Sequence, residues 1–168
     1  MIRDTIRSVF CNKVLLFRNQ LSFWADEQPA RSTVDLMTQA TPHIREVPSV
    51  QSIPDGFEPV LGGSPFVQFI GPFFHKKTDD GRHVVGVRIE EKHANIKGMA
   101  HGGMLVTLAD SALGVAIALE SRDQKPMVTV NLSTDFVEAA WPGDWVEAHV
   151  DLQRIAGRLA FANCFLQV

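Results

Sequence analysis

The hydrophobic and polar positions fall into two textures along the chain, and the second half is the more regular. In "HVVGVRIE" (83–90) Val85, Val87 and Ile89 lie on one side and Val84, Gly86 and Arg88 on the other. A period of two predicts a strand. Upstream, the apolar run "FVQFIGPFF" (66–74) is followed by polar "HKKTDDGR" with a turn at Asp80–Gly81, so the two segments together predict a hairpin. From Met104 to Leu119 almost every position is apolar, which predicts one long helix from about Gly102 to Ser121. Three more strands close the chain. In "MVTVNLSTDFV" Val128, Val130, Leu132 and Phe136 share one face and Thr129, Asn131, Ser133 and Asp135 the other. In "WVEAHVDL" Val146, Ala148, Val150 and Leu152 alternate with Trp145, Glu147, His149 and Asp151, and "LAFANCFLQV" ends the chain. "AWPGD" and "IAGR" are the turns between them. Two strands, one long helix and three strands predict an α+β domain with a largely antiparallel sheet and the helix on one face.

The first fifty residues do not share this texture. Residues 1–24 carry Arg3, Arg7, Lys13 and Arg18 against Asp4 alone, among apolar residues, and read as a basic amphipathic helix. They faintly resemble a targeting peptide without its small-residue cleavage site. Residues 29–65 are rich in Pro, Ser, Thr and Gly and read as loop or linker. The expected organisation is a leader, helix and linker over 1–52 and one domain over 53–168, with Met37 an alternative start. Removal of residues 1–36 is then expected to leave the domain's activity intact.

Composition narrows the class. The chain has 168 residues, 45% of them apolar, which suffices for one ordinary core. A net charge of −3 gives no electrostatic footprint for nucleic acid. Cys11 and Cys164 make no disulfide scaffold and fit a reduced, cytoplasmic setting. His75, His83, His93 and His149 show no metal-ligand spacing, and no metal or cofactor is expected. The long apolar run falls short of the roughly 20 residues of a membrane span and has Asp110 at its centre, so no span is expected.

That aspartate is the anomaly. On a helical period Thr107, Asp110, Ser111 and Gly114 fall at i, i+3, i+4 and i+7, a narrow polar stripe that Gly103 extends. Such a stripe either packs closely against another element or lines a pocket with an activated carboxylate in it. The helix start favours the pocket. Gly102 and Gly103 put unobstructed backbone N–H groups at the positive end of the helix dipole, an arrangement that stabilises an oxyanion. Asn95 stands six residues before His101, and Asp110 nine after it.

"HANIKGMAHGGMLVTLADSALGVA" (93–116) resembles the signature of hotdog-fold acyl-CoA thioesterases of the phenylacetate-degradation type. "IPDGFEPVLGGSPFVQFIGPFF" and "VTVNLSTDFVEAAWPGD" extend the resemblance over about residues 53–168. It implies a long helix wrapped by a curved antiparallel sheet, assembled as a homodimer or homotetramer, with an acyl-CoA substrate. It also implies roles. Gly102 would donate its N–H to the thioester oxygen and Asn95 would help position that carbonyl or a water. His101 would brace the loop. Asp110 would be the catalytic carboxylate, acting from the neighbouring subunit, and Thr129 would supply a hydroxyl that orients water. Gly103 and Ser111 would line the substrate site. Two other readings remain: an acyl-CoA hydratase or dehydratase using an Asp–His pair, and a non-catalytic acyl-CoA binding module. Release of free thiol from an acyl-CoA separates both from a thioesterase.

Overall fold

The computed structural model describes residues 9–17, as backbone, together with 53–61, 64–121 and 127–168. In chain order the elements are β1 (Val9–Phe17), β2 (Glu58–Pro59), α1 (Pro65–Ile70), β3 (Phe74–Lys77), β4 (His83–Arg88), a 3₁₀ turn (Glu91–His93), α2 (Gly102–Glu120), β5 (Met127–Phe136), β6 (Trp145–Ala156) and β7 (Leu159–Gln167). The seven strands form one sheet in the order β2-β3-β4-β6-β7-β1-β5, and every pairing is antiparallel. α2 lies along one face and touches β4, β6, β7, β1 and β5. The expected α+β architecture is what the chain adopts.

The core follows from the alternation. Val85, Val87 and Ile89 of β4 and its following residue, Val146, Ala148 and Val150 of β6, and Ala160, Ala162, Cys164 and Leu166 of β7 are buried against Leu105, Leu108, Leu113 and Ile117 of α2. α2 is long and apolar enough to cross a membrane by length and composition alone. Leu105, Leu108, Ala109, Ala112, Leu113, Ala116 and Ile117 are buried against the sheet, as in the core helix of a two-layer domain. The outer face of the sheet is also shaped by one glycine. A Cβ on Gly86 would sit 2.3 Å from Trp145 Cζ2, so only glycine lets that ring lie across β4.

Four expectations are corrected. Residues 65–70, read as the start of a strand, form α1: Ser64 caps it, accepting from Val67 N at 3.3 Å, and Pro65 occupies the first turn where its missing N–H costs nothing. The strand of the hairpin begins only at Phe74. The short β2 falls in the segment read as linker. Residues 9–17, read within a basic helix, form β1, which pairs with β5 on one side and β7 on the other. Val, Leu and Phe dominate that segment and favour a strand between two open edges. The described sheet therefore includes residues 9–17, on the far side of the boundary expected at residue 53. The suggested targeting peptide and the start at Met37, like Arg122, Asp123 and Lys125 after the helix, lie outside or largely outside the described residues.

The fourth correction bears on the site. Val14 pairs with Asn131 and Leu15 with Thr129, so Val130 is an extra residue in β5. A bulge of this kind changes the phase of everything on one side of it. Met127 and Leu132 both pack against the core, and Thr129 faces α2 rather than away from it. The single face expected for Val128, Val130, Leu132 and Phe136 is therefore split, and Val130 is exposed.

Candidate active site

The segment entering α2 is organised by backbone hydrogen bonds. Asn95 N donates to Met99 O at 2.7 Å and Gly98 N to Asn95 O at 2.9 Å, closing a turn in which Gly98 has a φ of 80°. Asn95 Oδ1 accepts from Lys97 N at 2.8 Å. With the side-chain oxygen engaged in its own loop, the amide donors are what Asn95 offers a ligand. Ala100 N then donates to Ala140 O and His101 N to His93 O, both at 2.8 Å, so the loop is anchored on two sides before the helix begins.

His101 is the helix cap. Its Nδ1 accepts from Gly103 N at 2.9 Å, which places the ring proton on Nε2. Gly102 is the first helical residue, so its N–H has no intrahelical acceptor by position. The two glycines answer different demands. A Cβ on Gly102 would meet the Phe136 ring at 3.2 Å, and a Cβ on Gly103 would meet His101 Nδ1 at 3.1 Å.

Further along α2, Thr107 Oγ1 donates back to Gly103 O at 2.8 Å. Asp110 and Ser111 are half-buried on the same side. Among the described residues nothing lies within 4 Å of where a Cβ on Gly114 would be. Among those residues the stripe is thus an accessible surface rather than a close-packed seam. Across it comes Thr129 of β5, whose Oγ1 donates to Asp110 Oδ1 at 2.8 Å. The structure brings these two predicted site residues together, and the β5 bulge is what turns Thr129 toward the helix.

It does not bring Asp110 to Gly102. They stand eight positions apart on one helix, about 12 Å at ~1.5 Å per residue. Between α1 and the start of α2 lies a cleft of about 260 Å³ lined by Phe66, Ile70, Lys92, His93, Ala94, His101, Gly103, Met104 and Thr107. Sequence reasoning missed His93 as part of this region. It is 2% exposed. Its Nδ1 accepts from Glu90 N at 2.9 Å, so Nε2 carries the proton and donates to Ile70 O at 2.7 Å. Burial, first of all, holds its pKa below the usual histidine value, which favours this neutral form. The one available signal was its place two residues before Asn95. Phe136 was read only as part of one face of β5, and its ring lies against Gly102.

Comparison with known proteins settles the family. The model of the thioesterase superfamily matches residues 97–166, which carry α2, β5 and both partners of the Asp110–Thr129 contact. A Pseudomonas aeruginosa protein that bears an esterase name is 44% identical over 117 residues, 70% of this chain and 87% of that protein. The chain belongs to the thioesterase superfamily. This thioesterase is also 27% identical to human acyl-coenzyme A thioesterase 13 over 127 residues, 76% of this chain and 84% of the human protein. Its fold is shared with zebrafish thioesterase superfamily member 2, at a TM-score of 0.50 and 22% identity, covering 62% of this chain and 86% of that one. The PaaI protein of the E. coli phenylacetic acid degradation operon aligns with a TM-score of 0.47 and 18% identity over 60% of this chain and 85% of its own. The thioesterase is accordingly a thioester hydrolase of the hotdog type, as its motif implied. The hotdog helix is α2, and the strands wrapped about it are those that bury its apolar face.

Proposed function

We propose that this thioesterase hydrolyses acyl-CoA to a free acid and coenzyme A at a site shared by two copies of the chain. A thioester is an activated acyl group, and its thiol, with a pKa of about 8.5, leaves without strong acid assistance. The reaction then needs two things: polarisation of the carbonyl and delivery of a nucleophile. The Gly102 N–H, at the positive end of α2, supplies the first, with the Asn95 amide alongside. Asp110 supplies the second, by taking a proton from water or by attacking the acyl carbon itself. The Thr129 hydroxyl, bonded to Oδ1, holds the plane of that carboxylate. His101 keeps Gly103 capped and the entering loop in place, a bracing role.

The observation that carries this reading is Asp110 itself, a carboxylate on the accessible stripe of a mainly apolar helix, accepting from the Thr129 hydroxyl. The argument for two copies is geometric. Attack needs reacting atoms about 3–3.5 Å apart. A carbonyl held at Gly102 lies about 12 Å along the axis from Asp110 of the same helix, and Asp110 is not among the residues lining the cleft. A second helix running antiparallel along the open stripe would place its Asp110 at the first chain's Gly102. Purified protein given a panel of acyl-CoAs, read by thiol release, tests the activity. Light scattering tests the assembly: a monomer that still turns over acyl-CoA would remove the shared site.

A further inference from the structure

The hydrolytic chemistry leaves the cleft under α1 unexplained. Most of its polar groups have partners within the protein. Thr107 Oγ1 donates to Gly103 O, and His101 Nδ1 accepts from Gly103 N. Both ring nitrogens of His93 are engaged, one by Glu90 N–H and one by Ile70 O. Lys92 Nζ donates to Gly71 O at 2.6 Å and pairs with Glu90 at 3.2 Å. What remains to meet a ligand is mainly carbon, from Phe66, Ile70, Ala94 and Met104. A lining that is mainly carbon favours apolar over charged or hydroxylated groups, which would give up water for few new partners.

Size narrows the ligand further. An apolar cavity of about 150 Å³ takes one benzene ring. The 260 Å³ here takes a ring with a short linker, or an aliphatic chain of comparable bulk. Position supplies the rest. Gly103 and His101 line the cleft and flank Gly102, where the thioester oxygen is placed under the proposed function. An acyl group whose carbonyl sits at Gly102 has this cleft as an adjoining apolar space.

From these observations we infer that the cleft between α1 and the start of α2 is the acyl-group pocket, that it takes compact, uncharged, apolar acyl groups, and that Phe66 and Ile70 of α1 set their upper size. The inference rests on the thioesterase reading proposed for the α2 end. His93 is the positioning residue of the pocket. It joins Ile70 at the end of α1, Glu90 before the 3₁₀ turn and, through its carbonyl, the N–H of His101. The wall of the pocket and the loop that presents Gly102 therefore share one buried anchor.

The test is the selectivity among butanoyl-, octanoyl- and palmitoyl-CoA, measured as kcat/KM by thiol release. A ratio of two substrates on one protein is insensitive to how much of that protein is folded. The unaltered enzyme is expected to favour octanoyl- over palmitoyl-CoA by about tenfold or more, on the scale by which apolar pockets discriminate. Phe66→Ala removes a 58% exposed ring, so the fold should persist, and it should raise the palmitoyl-to-octanoyl ratio by about tenfold. His93→Ala should raise it too, and His93→Gln, which retains a donor for Ile70 O, should raise it less. Ratios that stay flat in Phe66→Ala while turnover persists, or a palmitoyl preference in the unaltered enzyme, overturn the pocket and leave the thioesterase reading standing. No turnover of any acyl-CoA by the unaltered enzyme overturns both.

Discussion

Glu120, the last residue of α2, accepts a hydrogen bond from Lys77 Nζ at 2.7 Å and lies 2.8 Å from His83 Nε2, whose Nδ1 in turn meets His75 at 2.9 Å. At the other end of the same helix stand two glycines, a histidine cap and an N–H without an intrahelical acceptor. A carboxylate at a helix C-terminus opposes the dipole and needs cations beside it. Here the Lys77 hydrogen bond, with His83 second, draws the Glu120 pKa down to about 2. At the N-terminus the same dipole favours an incoming negative charge, and no acidic residue occupies the first turn of the helix. One end is closed by ionic side chains, and the other is where the proposed reaction places the thioester oxygen. Under that proposal, stabilising the element and using it fall to opposite ends.

Asp110→Asn is the sharpest way to break that contrast, with the largest effect. Turnover should fall by about 10²–10⁴-fold, the range for a lost general base, or more for a lost nucleophile. The denaturation midpoint should hold or rise, because a half-buried charge is removed. Near-normal turnover would end the mechanism, and unfolding would make Asp110 a structural residue. Next in size is removal of residues 1–36. β5 joins the described sheet through β1, and β5 carries both Thr129 and Phe136. The shortened protein is expected to lose turnover and unfold at lower denaturant, and a fully active, equally stable one would show that β5 pairs elsewhere.

Thr129→Val should be milder. A hydrogen bond to a charged group contributes about 1.5–3 kcal/mol, and exposure of Thr129 puts it at the lower end, so about a tenfold fall in kcat is expected with KM little changed. His93 predicts a pH dependence. Its folded pKa lies below the usual value near 6.5, so its contribution to stability is complete above that pH and is lost as pH falls through the lowered value. Thermal melts from pH 7 down to pH 5 should show a decline that flattens in His93→Gln. The smallest effect belongs to the closed end. Glu120→Gln should leave turnover unchanged and lower Tm slightly. That difference should be present above about pH 4.5 and vanish as pH falls toward the folded value of about 2, because a depressed carboxylate loses its contribution on protonation.

Much of this arrangement can be read from residue order, and the misses share a cause. α2 and the hairpins announce themselves through strict periods and through glycines the turns demand: Gly81, Gly143 and Gly157 have φ of 85°, 95° and 58° where Asp-Gly, Pro-Gly and Ala-Gly were read as turns. Asp110 was legible as chemistry, since a carboxylate within an apolar helix has few inexpensive explanations, and Thr129 only through the family resemblance. The exact contact between them was not, because the extra residue at Val130 is defined by the partner strand and leaves no mark in β5 alone. α1 hid inside an apolar run, where strand and short helix look alike. His93 hid because its importance lies in three partners from separate elements, none of which any local pattern connects.

The place of β1 in the sheet also sets an order of events. It is made first, yet its partners are β5 and β7, more than a hundred residues downstream by the pairing of Leu15 with Thr129 and with Ala160. Contacts of such long range require closing a large loop before they return any free energy, and they slow folding. During synthesis this apolar segment emerges well before its neighbours exist, when an unpaired strand is most exposed to intermolecular association. The described core gathers α2 with β4, β6 and β7. β1 is then expected to enter the sheet late, and refolding yield should depend on protein concentration through this strand.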